Sequence, residues 1–161
     1  MTEVSKRVMK KYEQERDKLF PELKEKGAIW HSKTHDGWRN TPRCMTFFMT
    51  IMDDLCTGFP PSKVYLALWL RSFESYYIKD ISLQSLCYEC GLSGQRAETN
   101  LKNKLKKLNE LGFIKHKNNF SAIALPNPYL VVKKLNEEGK VPEDKFDALI
   151  MRMCDIGEES F

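Results

Sequence analysis

Apolar residues recur at helical spacing through most of the chain, and the intervals where that spacing fails mark its turns. Residues 1–26 carry a thin stripe (Val4, Val8, Met9, Tyr12, Leu19, Phe20, Leu23) among lysines and glutamates. This pattern predicts a helix broken near Pro21 and ended at Gly27. Residues 28–43 have no helical period, and Asp36-Gly37 is a turn signal between Trp30 and Trp38. Thr41-Pro42 reads as an N-cap followed by a first-turn proline. Met45, Phe48, Met49, Met52 and Leu55 follow on one helical face, up to Gly58 and Pro60-Pro61.

Beyond residue 61 the pattern becomes more regular. Ser62 is placed to cap a helix with Val64, Leu68 and Phe73 on one face and Tyr65, Leu66, Trp69 and Leu70 widening it. The segment 72–82 reads as a loop, with room for a short strand. Ser82 caps a short helix carrying Leu83, Leu86, Cys87 and Cys90 on one side, and Gly91 closes it. Ser93 then reads as the cap of a longer helix over 94–111, with Ala97, Leu101, Leu105, Leu108 and Leu111 inward. Gly112 ends it. Residues 113–117 and 120–125 read as two strands joined by Asn118-Asn119. Asn127-Pro128 opens a helix with Tyr129, Val132 and Leu135; Gly139 and Pro142 separate it from a last helix with Phe146, Leu149, Ile150 and Met153.

The order over 62–125 is helix, short strand or loop, helix, tight turn, helix, strand, turn, strand. With SLQSLCYECGLSGQRAETNLKNKLKKLNELGFI at its centre, this stretch resembles the winged helix-turn-helix superfamily. The resemblance rests on Gly91-Leu92-Ser93 between two helices and on Leu108-x-x-Leu111-Gly112-Phe113-Ile114 leading into a hairpin. It implies a mainly α fold with a small β-hairpin and helical extensions at both ends. The expected division is a helical N-terminal extension with a Trp-containing loop (1–58), a winged helix-turn-helix domain (59–138) and a C-terminal helix (139–161). It also implies double-stranded DNA as partner, with helix 94–111 in the major groove and hairpin 113–125 as the wing.

The helical wheel supports the same reading without the family. With Ala97 at zero, Leu101, Leu105 and Leu108 fall within about 80° of it, whereas Gln95, Thr99, Lys102, Asn103 and Lys106 fall within about 60° of the opposite pole. Amides can pair with adenine, and lysines with guanine edges or phosphates. Gln95, Arg96, Thr99 and Asn103 are therefore expected at bases. Lys102, Lys106, Lys115 and Lys117 are expected at phosphates, with Ser82 and Ser93 adding phosphate contacts from helix N-termini.

Charge sharpens this picture. The chain of 161 residues has 26 Lys+Arg against 22 Asp+Glu, a net +4. Residues 94–119 hold seven basic residues and two acidic ones, or +5, so the remaining residues sum to −1. The positive excess lies in the expected recognition helix and wing, where it would meet phosphates and release counterions.

Other chemistry is weaker. Cys87 and Cys90 have zinc-like spacing but no second pair beside them, and they share an apolar face, which favours core packing. His31 and His35 lie four apart in a segment without helical period, and read as surface side chains. Trp30, Lys33, Trp38, Arg39 and Arg43 interleave aromatic and basic groups, which can anchor a loop or grip a nucleic-acid backbone. No nucleophile motif, phosphate-binding glycine loop or carboxylate pair is present, so neither enzymatic activity nor a cofactor or metal is expected. The polar start and the lack of a long apolar run argue against a signal peptide or a membrane span, and with five cysteines a cytoplasmic location is expected. A homodimer or protein partner would meet the apolar helix 45–56 or the terminal helices. Two other readings are a protein-binding winged-helix adaptor, using helix 45–56, and a redox or metal sensor using Cys87, Cys90 or the histidines.

Overall fold

The computed structural model describes residues 3–25, 28–29, 40–72 and 75–158. The chain divides into two units, Met1–Arg39 and Asn40–Phe161. In the first, helix α1 (Glu3–Leu19) leads into a short 3-10 helix, Pro21–Lys24. The break falls where Pro21 forbids a continuing backbone hydrogen bond. Val8, Met9, Tyr12, Leu19 and Phe20 of this unit are all exposed.

The second unit is mainly helical with one small sheet. Its elements are α2 (Met45–Asp54), α3 (Ser62–Arg71), β1 (Tyr77–Lys79), α4 (Leu83–Cys90), α5 (Ala97–Leu111), β2 (Lys115–Lys117), β3 (Ala122–Ala124), α6 (Pro128–Glu137) and α7 (Glu143–Asp155). The three strands are antiparallel in the order β1-β3-β2, so the last strand to be made lies in the middle. No helix among the described residues is long and apolar enough to cross a membrane.

Helix ends explain how α3, α4 and α5 come together. At the end of α4, the Gly91 and Leu92 amides donate to the Tyr88 and Cys87 carbonyls. At the end of α5, the Gly112 and Phe113 amides donate to the Asn109 and Leu108 carbonyls, at 3.1 and 2.9 Å. This double bond pattern needs a left-handed residue, and Gly112 supplies it at φ 91°. The apolar residue after each glycine, Leu92 or Phe113, then folds back onto the core. Ser82 caps α4 by accepting from the Ser85 amide, and Asn127 caps α6 by accepting from that of Tyr129.

Three helix starts differ from expectation. Thr41 does not cap α2, which begins at Met45 after a turn in which the Met45 amide donates to the Pro42 carbonyl. Ser62 is the first residue of α3 and not its cap. Its amide and hydroxyl both donate to the Asp53 carboxylate of α2, at 2.9 and 2.6 Å. Asp53 therefore caps α3 from another helix, with its negative charge at the positive end of the helix dipole. Asp53→Ala should lower stability by about 1–2 kcal/mol. Urea denaturation would read this as a lower midpoint at unchanged slope, and an unchanged midpoint would remove the cap from the account. Ser93 does not cap the long helix, which starts at Ala97 and not at 94. Gly94 sits at φ 82°, outside the helical region, so Gln95 and Arg96 form a turn ahead of the first helical residue.

The core joins α2 (Met45, Phe48, Ile51, Met52), α3 (Val64, Tyr65, Leu68) and α5 (Leu101, Leu105, Leu108) to Phe113, Ile114 and Ile123 of the hairpin. Tyr65 and Phe113 meet edge to face at 5.6 Å. The apolar face of α2, considered above as a partner surface, is turned into this core. Thr46, Thr50 and Asp54 are its exposed residues. Leu149 and Met153 of α7 are buried in the same cluster.

Candidate nucleic-acid interface

The residues on the outer side of α5 reach solvent. Thr99, Asn103 and Lys106 are exposed along the helix, and Gln95 and Arg96 are exposed in the turn before it. Leu101, Leu105 and Leu108, on the opposite side, are completely buried. The amphipathic split expected from the 3.6-residue period is thus realised, although Gln95 and Arg96 stand ahead of the helix and not within it.

Side-chain pairing divides the lysines of α5. Lys102 is half-buried and bonds the Glu98 carboxylate one turn back at 2.7 Å. Lys107 bonds Glu110 at 2.7 Å, and this hydrogen bond, with the nearby charge, holds its ammonium above the usual lysine range. Lys104 donates to the Pro60 carbonyl at 2.6 Å, which ties the loop before α3 to the flank of α5. Phe59 of that loop, half exposed, borders a shallow depression with Asn103, Lys106, Lys107 and Glu110. Exposed i,i+4 pairs are worth only a few tenths of a kcal/mol, so an arriving phosphate can compete for Lys102.

The sheet adds a feature that the linear sequence hides. Lys115 and Lys117 are exposed on β2, with His116 on the other side, its ring stacked on Phe120 at 4.0 Å. The register places Lys117, Ala122 and Lys79 in one row across the three strands, and Lys115, Ala124 and Tyr77 in the next. Directly opposed residues of antiparallel strands share a face. One face of the sheet therefore presents three exposed lysines and Tyr77 around a floor of two alanines, while Ile78 and Ile123 are buried on the other. Lys79 and Tyr77 carry no signal in the sequence pattern. Only the long-range pairing of β1 with β3 brings them beside the hairpin. The hairpin tip holds three consecutive residues at positive φ, Asn118, Asn119 and Phe120. Asparagine tolerates that conformation, and the stacking of Phe120 on His116 accompanies it at the third position.

The remaining candidates separate clearly. Ser82 is exposed, but its side-chain oxygen is occupied in capping α4; Ser93 is exposed in the turn between α4 and α5. Cys87 and Cys90 lie in the core beside Leu86. Burial pushes both thiols above the usual range, which disfavours the thiolate that redox exchange or metal ligation requires. His31, His35, Trp30, Lys33, Trp38, Arg39 and Phe73 lie outside the described residues; Arg43 is exposed ahead of α2. Among the described residues, no group of three or more His, Cys, Asp or Glu side chains is arranged to hold a metal ion. No family model, curated protein or solved structure matches the chain.

Proposed function

We propose that residues 59–138 form a winged helix-turn-helix domain that binds double-stranded DNA with a sequence preference, as a transcriptional regulator or as a replication or maintenance factor of a mobile element. In this reading α5 enters the major groove, and the hairpin of β2 and β3 is the wing. The observation that carries the proposal is the exposed outer side of α5 (Thr99, Asn103, Lys106), backed by three buried leucines and followed directly by a lysine-bearing hairpin. A major groove admits one helix, and it reads such a helix through amides, hydroxyls and cations projecting from one side. The element order α3-β1-α4-α5-β2-β3 and the sheet order β1-β3-β2 support the domain assignment.

Roles follow from position. Gln95 and Arg96, in the turn at the N-terminal end of α5, and Thr99 and Asn103 on its outer side face base edges. Lys102, Lys106, Lys115 and Lys117 contact phosphates, joined by Lys79. Ser93 contributes a hydroxyl at the turn. The cytoplasm is the setting that such a role implies, and a homodimer reading two half-sites would use the terminal helices.

Duplex retention measured across a salt series tests the proposal. Four or five phosphate contacts correspond to a slope of about −4 in log affinity against log salt. A slope near zero, or no retention of any random-sequence duplex at low salt, would overturn the DNA reading.

A further inference from the structure

A second concave site lies among residues unrelated to the outer side of α5. The entry to α2, the end of α3, the start of β1, the β3–α6 connection and the chain after α7 together enclose a cleft of about 500 Å³. That volume is within the range of small-molecule sites. The indole of Trp69 forms part of its lining, with its single N–H donating to the Asn40 carbonyl at 3.1 Å. This bond fixes the ring and leaves the indole no polar atom for a ligand. Tyr76 lies against it at 5.2 Å with the ring planes at 48°, so the two rings make a corner. Tyr129 adds a third aromatic wall, its own ring held edge-on to Phe48 at 4.8 Å. Burial above all, with Cys44 and Glu158 beside it, keeps the Tyr129 hydroxyl in its neutral form. Pro42 and Pro126 complete the apolar lining.

Charge then selects the ligand. Glu158 is the one formally charged side chain among the described lining residues, and no Lys or Arg is among them. Aromatic faces present negative electrostatic potential, and a carboxylate adds to it. The aromatic faces and the carboxylate together favour a cation over an anion or a neutral molecule of the same shape. We infer that this cleft binds a small organic cation, an ammonium or alkylated ammonium head on an apolar body, with the head between the Trp69–Tyr76 corner and Glu158. The site is independent of the proposed DNA contacts, none of which lines it.

The test uses the full chain and two probes of one shape: choline, and its uncharged isostere 3,3-dimethyl-1-butanol. The reporter is the Trp69 indole N–H resonance, assigned by sequential connectivity and followed at constant ionic strength. Choline should shift it saturably, and the isostere should bind about tenfold more weakly or worse, the size of a partly desolvated cation–π contribution. Glu158→Gln should weaken choline severalfold and leave the isostere unchanged. Tyr76→Ala, at a position 40% exposed, should weaken choline more than the isostere, since both lose ring contact and only choline loses the cation–π part. Absence of a saturable choline shift, equal affinity for both probes, or indifference of choline to Glu158→Gln would each overturn the assignment. Because no DNA is present, failure here says nothing about the duplex reading, and failure of that reading does not touch this one.

Discussion

Lys102→Glu combined with Lys106→Glu should abolish measurable duplex retention while leaving the fold intact. Both side chains lie on the outer side of α5, and neither contributes to the buried leucine row. On the proposed reading, each reversal would remove one phosphate contact and place a like charge against the phosphate backbone, so affinity at low salt should fall about a hundredfold or more. The structural cost is small. The two introduced carboxylates would face Glu98 and Glu110, each four residues away, and each other, making three like-charge pairs at i,i+4 worth a few tenths of a kcal/mol each, of which the 102/106 pair replaces a lysine–lysine pair. Helical circular dichroism and the denaturation midpoint should therefore stay near those of the parent chain. Because Lys102 is engaged with Glu98 in the free protein, most of the loss should come from Lys106, and the single variants rank the two. Retention that survives the double reversal with full folding would remove α5 from the interface, whatever else the chain binds.

Phe113→Ala should be among the most damaging single truncations in the helix–sheet core. The ring has no solvent exposure, meets Tyr65 edge to face, and belongs to the residue that turns the chain from α5 into β2. Removing a fully buried phenyl ring costs about 3–5 kcal/mol, the transfer energy plus the cavity left behind. Whole domains are typically stable by only about 5–15 kcal/mol, so the variant would sit at the edge of folding. Urea denaturation should show a midpoint displaced far to lower concentration, and duplex retention should fall in step with the folded fraction. A loss below about 1 kcal/mol would mean that the neighbouring side chains close the cavity, and that the α5–hairpin junction does not depend on this ring.

Much of this arrangement is legible in the sequence because its punctuation is local. Gly91 and Gly112 each end a helix through hydrogen bonds made within a few residues. Ser82 and Asn127 cap the helices they precede. The buried leucines of α5 repeat every three or four positions over a whole helix, so α5 can be read with both its faces. The departures share one cause. Ser62 looks like a cap because a serine precedes an apolar run, but the cap comes from Asp53 on another helix. Ser93 looks like a cap for the same reason, while Gly94 diverts the chain into an extra turn. Lys79 and Tyr77 carry no functional assignment, since a three-residue strand has little period of its own and acquires its partners only through β3. The cleft is equally hidden, being lined by residues from five separate stretches of chain.

The central place of β3 has a consequence for how a nascent chain reaches this shape. As it leaves the ribosome, β1 has no strand to pair with until α4, α5 and β2 have all followed it, for the partner of both outer strands arrives last of the three. Closing so long an interval costs entropy before any sheet hydrogen bond returns it. Helices α2 to α5, whose neighbours follow one another in sequence, can assemble while synthesis continues. A stalled polypeptide ending before Ala122 would thus hold helices without a sheet, and arrival of that short apolar segment would lock β1 and the hairpin together in one step.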